Sequence, residues 1–457
     1  MKSWYNQPRC LYVGWKQEML GSDKELLKRI EAYSLEDETY WSFKGRSKRH
    51  HCHSLLQYPA MMVPEMQGEL IDAVLAEDRN VKRVFDPFVG SGTTLGESMC
   101  RGLDFLGIDI NPLAILACEV KSGPLYLKRL TEKFDDLFDV IEKDSSKEIA
   151  VEFDGINKWF LKDVQIELSV LYRAIKAEPS KWARKVFWLS MANTVRAVCN
   201  SRSSTYKLHI KSDEQMDSIP SPIQVFEKQL RKNIESIIAQ KEVLEKNKVL
   251  KTSVSVSDVV IKNIDTAGES KKTIICDLLV SSPPYGDNQT TVTYGQFSYL
   301  PLKWIDLNDI DNLTQKGLLA HQSAIDSKSL GGSRKDSKDK YDIIKYRSSS
   351  LVHCIEKIMQ VNSENTKKLI AFVFDLDKAL MNSLSFLRKD AYMIWTLGNR
   401  RISNIEVPLD DIMRELLEFH GCSFVHKLER EIPSKRMAKR NKIASTMGKE
   451  SILIMRK

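Results

Sequence analysis

Lys82-Arg83-Val84-Phe85-Asp86-Pro87-Phe88-Val89-Gly90-Ser91-Gly92-Thr93-Thr94 reads as a short strand that runs through a glycine loop into a helix. Gly90 and Gly92 permit the tight turn and let backbone approach a ligand closely. The onward spacing to Gly96 is not that of the dinucleotide fingerprint, and no Gly-Lys-Ser/Thr follows, so the loop is not a phosphate-binding P-loop. The Thr93-Thr94 hydroxyls and the helix N-terminus suit a zwitterionic amino-acid head group. About twenty residues on, Phe105-Leu106-Gly107-Ile108-Asp109 reads as a second strand that ends in a carboxylate, which can accept hydrogen bonds from both hydroxyls of a ribose. Loop and acid together point to a nucleoside-type cofactor.

Outward from this stretch, strand and helix alternate at short spacing, as in a parallel sheet with crossover helices. Residues 1–80 are an aromatic-rich segment ending in an amphipathic helix around Met66–Leu75, and 81–120 hold the first part of the catalytic domain. From 121 to 250 the strand signal vanishes. Leu125–Lys143, Leu161–Ala177, Lys181–Val198 and Pro222–Lys248 are predicted helices by their apolar spacing, an inserted lobe and the leading candidate for target recognition. Residues 251–457 resume the catalytic domain, with strands at Ser253–Ser257 and Leu278–Ser281. A Ser/Lys/Asp-rich stretch at 306–350 reads as a long mobile loop. Beyond it come a strand at Leu369–Phe374, a helix at Leu376–Leu387, a strand at Tyr392–Leu397, a helix at Leu409–Glu418, and strands near Phe424–Leu428 and Ser451–Met455.

Asp277-Leu278-Leu279-Val280-Ser281-Ser282-Pro283-Pro284-Tyr285 is the sharpest chemical feature. Two prolines at a strand end fix the backbone and remove two amide donors, leaving carbonyl oxygens as free acceptors. The amino nitrogen of a nucleobase is a poor nucleophile because its lone pair is delocalised into the ring. The Ser282 hydroxyl and the Pro283 carbonyl can draw that group out of conjugation, and Tyr285 offers an aromatic face to an extruded base. No Pro-Cys pair is present, so nothing here signals covalent catalysis through a cysteine nucleophile.

These motifs resemble those of the amino-group DNA methyltransferases that act on cytosine N4 or adenine N6. The resemblance implies an α/β, Rossmann-like S-adenosylmethionine-dependent sheet, mostly parallel with one reversed strand. It implies cofactor roles for Asp86, Phe88, Gly90, Gly92, Thr93 and Asp109, and a catalytic role for Ser282, Pro283, Pro284 and Tyr285. Tyr58-Pro59-Ala60 resembles the element that closes over the methionine end of the cofactor. An acid at the place of Asp258 meets the cofactor adenine in that family. The leading serine of the tetrapeptide resembles cytosine-N4 members. Adenine-N6 methylation, RNA methylation and a catalytically silent DNA-binding subunit stay open as other readings. Duplex DNA is the expected partner, and the family implies a cognate restriction endonuclease beside it.

A net charge of +8 fits a polyanionic partner without demanding one. Arg196, Arg202 and Lys207 in the insert, and Lys435, Arg436, Lys439 and Arg440 near the C-terminus, are the candidate DNA contacts. His50-His51-Cys52-His53 lacks metal-finger spacing and lies beside Arg46, Lys48 and Arg49, so it reads as a phosphate-facing patch; no metal is expected. The scattered cysteines, the absence of an apolar leader and the lack of any run of transmembrane length suit a cytoplasmic protein with no membrane partner.

Overall fold

Strands buried on both faces need continuous apolar runs, and such runs form the centre of the chain. The computed structural model describes residues 19–37, 39–45, 49–268, 274–432 and 448–457. Strands β1 (Arg83–Asp86), β2 (Asp104–Asp109), β3 (Val259–Asn263), β4 (Cys276–Ser281), β5 (Leu387–Leu397), β6 (Ser423–Glu431) and β7 (Lys449–Arg456) form a seven-stranded sheet in the order β6-β7-β5-β4-β1-β2-β3. Val84 pairs with Phe105 and with Leu278, and Val280 with Ile394, all in parallel register. β7 alone is reversed, antiparallel to both β5 and β6. The expected mostly parallel α/β sheet with one reversed strand is what the chain forms. Strand order turns about β1: β2 and β3 lie to one side, β4 and β5 to the other. A crevice therefore opens at the carboxyl ends of β1 and β4, the place where such sheets bind ligands.

Alternation along each strand feeds two cores. Val84, Leu278, Val280 and Ile394 face one layer, made by α1 (Gly21–Glu36), α2 (Pro64–Glu77), α3 (Thr93–Cys100), α4 (Pro112–Ser122) and the insert. Phe85, Leu279, Met393 and Trp395 face the other, built largely from the C-terminal helices. The insert supplies α5 (Leu127–Lys143), α6 (Lys162–Ala177), α7 (Lys181–Val198) and α8 (Pro222–Lys246), close to the expected bounds, plus short turns at Ile156–Trp159 and Asp213–Asp217. Its large side chains Phe160, Phe187, Trp188 and Phe226 belong to the same core as the sheet, so it covers one face of the sheet instead of standing apart from it.

Four local expectations give way. The stretch Leu369–Phe374 is helical, inside Ser363–Ser385; its apolar run fits a buried helix as well as a strand, and Asn362 caps the start by accepting from the Glu364 amide. Residues 306–350 are built structure. Short helices at Ala324–Lys328 and Ser337–Ile344 bury Ile325, Leu330 and Ile344, and buried Asp326 accepts from the Gly295 and Gln296 amides. The strand expected at Ser253–Ser257 is a two-residue hairpin, Leu250–Lys251 against Val254–Ser255, and the sheet strand begins only at Val259. Within the described part of the histidine run the phosphate-facing reading gives way: Cys52 and His53 are buried against α3, and burial, then neighbouring His53, drives His51 down to about 3, while Arg46 and Lys48 lie outside the described residues.

Candidate active site

A cavity of about 730 Å³ opens at the carboxyl ends of β1, β2 and β4. Gly90 and Gly92 hold φ of +50° and +77°, where an L side chain would be strained, and a Cβ on Gly92 would stand 3.0 Å from Cys118 Sγ. The fully buried Lys121 ammonium donates to the Gly92 carbonyl at 3.1 Å, fixing the loop from beneath. Asp109, at the end of β2, accepts from the Gly90 amide at 2.9 Å and from the Asn111 amide at 2.8 Å. Burial raises its carboxyl to about 6, opposed by those amides. It faces the cavity with acceptor capacity to spare, as a pair of ribose hydroxyls requires.

Asp86 sits behind this surface and is fully buried. It accepts from the Phe88 amide at 3.0 Å and from the Ser281 hydroxyl at 2.6 Å, which ties the glycine loop to the strand end that carries Ser282. Burial raises its carboxyl to about 6 as well, with the Ser281 hydrogen bond opposing.

Ser282, Pro283, Pro284 and Tyr285 line the same cavity as Tyr58, Pro59, Phe88, Gly90, Thr93 and Asp109. The Ser282 hydroxyl donates to the Tyr285 hydroxyl at 3.3 Å, and the Tyr285 hydroxyl in turn donates to Glu450 Oε1 at 3.3 Å. Arg430 holds the other oxygen of Glu450, donating from Nε at 2.9 Å. Also on the cavity wall, Tyr294 stacks on Tyr58 with ring centroids 5.6 Å apart, and Asn111 donates to the Tyr58 hydroxyl at 2.9 Å. One chamber thus holds a nucleoside-sized glycine-loop site and a row of carbonyl and hydroxyl acceptors flanked by aromatic rings. Its volume lies within the range of small-molecule sites, roughly 300–1,000 Å³.

Asp86 and Gly92 shape the cavity from behind without lining it. Asp258 lies elsewhere: it precedes β3, at the amino end of the sheet, where it accepts from Arg83 Nη2 at 2.6 Å. Reading the strand some residues early put its end where it begins. At the true carboxyl end of β3, Asp265 and Thr266 face the cavity, and Thr266 donates to the Pro87 carbonyl at 2.7 Å. Those two were missed; the run Val259–Asn263 was the signal that could have found them.

Arg196 is turned inward, its guanidinium over the Phe297 ring at 5.0 Å and one nitrogen donating to the Thr205 carbonyl, so it braces the loop after α7 and is not a free phosphate contact. Arg202 and Lys207 are exposed on that loop, which packs on α9 (Tyr294–Lys303) through Leu208 and Gln296 and through Tyr206 and Phe297. Lys435, Arg436, Lys439 and Arg440 lie outside the described residues. Arg400, also on the cavity wall, donates to buried Asp287 at 3.2 Å; a Cβ on Gly286 would stand 2.0 Å from its Nη1. Among the described residues, no helix is long and apolar enough to cross a membrane.

Residues 12–119 match the family described as DNA methylase. Over 442 residues the chain is 28% identical to Type II methyltransferase M.MvaI of Kocuria varians, covering 94% of this chain and 95% of that one. Over 97 residues it is 35% identical to Type II methyltransferase M.MjaII of Methanocaldococcus jannaschii, covering 21% of this chain and 17% of that one.

Proposed function

We propose that this chain, a member of the family of amino-group (N6/N4) DNA methylases, which draw their methyl group from S-adenosylmethionine, methylates N4 of cytosine at specific sites in duplex DNA. The observation that carries this reading is the meeting of Ser282-Pro283-Pro284-Tyr285 with the glycine loop and Asp109 in one cavity. The leading serine at 282 supports cytosine over adenine.

In this mechanism Asp109 takes the ribose hydroxyls, the loop from Phe88 to Thr93 takes the methionine end, and Tyr58 and Pro59 close over it. When bound, the cofactor supplies an electrophilic methyl carbon. The target base leaves the helical stack, because an amino group that is paired and stacked in a duplex cannot enter an enzyme pocket, and rests on Tyr285. The Ser282 hydroxyl and the Pro283 carbonyl accept the two amino hydrogens, which restores the nitrogen lone pair. Held there, the cofactor would give its methyl group to the freed nitrogen and leave as the neutral thioether, with one amino proton passing to solvent at the cavity mouth. Arg430 and Glu450 keep Tyr285 upright, and Asp86 keeps Ser282 in register with the loop. The insert, with Arg202 and Lys207, reads the target and holds its backbone. A sequence-matched restriction endonuclease is the biological counterpart of such an activity.

Replacing Ser282 by Ala tests the chemistry. Turnover should fall by about 10²-fold or more, as when one preorganised hydrogen-bonding group is lost from an active site, while calorimetric affinity for S-adenosylmethionine stays unchanged. A wild-type rate in this variant would sink the mechanism.

A further inference from the structure

Neither the cofactor cavity nor the DNA-facing surface uses the histidine run. Among the described residues, one group of histidine, cysteine and acidic side chains converges closely enough to share an ion: His50, His51, His53 and Glu97, each with a ligating atom within 4.8 Å of the others. We propose that these four residues bind one divalent transition-metal ion of the zinc class, which pins the segment leading into Tyr58 onto α3.

Several independent features point to a ligand there. His53 is 1% exposed, and its Nε2 stands 3.1 Å from Glu97 Oε1, so a buried imidazole and a buried carboxylate face each other directly. His51 holds φ of +34°, in the left-handed region that a non-glycine residue seldom occupies, and this turn brings three rings together with centroids 4.4 to 5.4 Å apart. Glu97 is oriented from behind: Arg101 Nη1 donates to its other oxygen at 2.9 Å, and Asp72 clamps Arg101 through two contacts of 2.6 Å. Outer partners of this kind fix the direction of a metal-binding carboxylate.

The surrounding helices leave room for the cluster. A Cβ on Gly96 would stand 2.7 Å from His53 Cε1, and one on Gly68 would stand 2.5 Å from Glu97 Oε2. Three imidazoles and a carboxylate make a closed four-ligand set that suits zinc better than magnesium or calcium. Zinc–nitrogen bonds of about 2.0–2.1 Å place tetrahedral ligand atoms roughly 3.3 Å apart; the His53–Glu97 pair stands at 3.1 Å, and the other ligand atoms, all within 4.8 Å, draw in on the ion.

The test uses the full chain without a polyhistidine tag, stripped with chelator and titrated with Co(II) as a visible probe. The expected result is one equivalent of Co(II) with the strong d–d bands of a tetrahedral nitrogen/oxygen site, displaced by Zn(II), and a higher Tm with Zn(II) than without. His50 is half-buried, so His50→Gln should keep the fold by circular dichroism and weaken metal affinity at least tenfold; Glu97→Gln should do the same. No stoichiometric Co(II) uptake by the wild type, or the same uptake and spectrum in wild type and His50→Gln, would overturn the site.

Discussion

Asp86 and Asp109 carry opposing demands. Both are raised to about 6 by burial, from an ordinary 3.8. Between about pH 4 and 6 the folded chain therefore holds protons that the unfolded chain has released, so their contribution to stability is greatest below that window and is lost as pH rises through it. The ribose role of Asp109 needs the ionised form and runs the other way. Affinity for S-adenosylmethionine should weaken about tenfold from pH 7 to pH 5, since one unit below the pKa about a tenth of the carboxyl stays ionised. Asp109→Asn should abolish that dependence, and calorimetry across the range checks both; a pH-independent wild type would remove the role. The same residue scale shows what was legible in advance. The glycine loop, Asp109 and the Ser282–Tyr285 tetrapeptide are contiguous runs whose spacing is set by the ligand itself, and they do line one cavity. Arg196 and Asp258 were misjudged because a side chain's direction depends on neighbours distant in sequence: the Phe297 ring for one, Arg83 for the other.

At the scale of elements, the strongly periodic helices of the insert and the buried strands could be read directly, since a repeating apolar face reports its own secondary structure. Composition misled at 306–350. That stretch is rich in Ser, Lys and Asp, yet its order comes from a few buried anchors and from Asp326, whose carboxyl caps the start of α9 through the Gly295 and Gln296 amides. No local pattern announces such a contact. Removing it in Asp326→Ala leaves two amides dry and should cost about 1–3 kcal/mol, read as a lower denaturant midpoint with the slope unchanged. A midpoint equal to wild type would mean that the segment does not brace α9. The helix containing Leu369–Phe374 teaches a related lesson: an apolar run of that length is compatible with either structure, and the Asn362 cap decided it.

At the scale of the molecule, the sheet sets its crevice at the strand-order reversal, and the insert thickens one face of the sheet through a shared core. The exposed Arg202 and Lys207 stand on a loop packed against α9, the helix that follows the tetrapeptide, which suits a duplex lying across the cavity mouth. Binding to DNA should therefore weaken steeply as salt rises, because each phosphate contact releases counterions, and Arg202→Ala and Lys207→Ala should each reduce the log–log salt slope by about 1. Unchanged slopes in both variants would move the DNA elsewhere on the surface. The overall sheet was legible because family motifs sit at fixed ends of particular strands, while the depth of the insert in the core was not, since helical periodicity tells which face is apolar and not what covers it. The central claim, that this cavity methylates an exocyclic cytosine nitrogen, is tested most directly by nucleoside mass spectrometry on DNA from a methylation-free host expressing the chain. The account predicts N4-methylcytosine, absent when Ser282 is replaced by Ala; N6-methyladenine in its place, or no methylated base from a chain that binds S-adenosylmethionine, would contradict it.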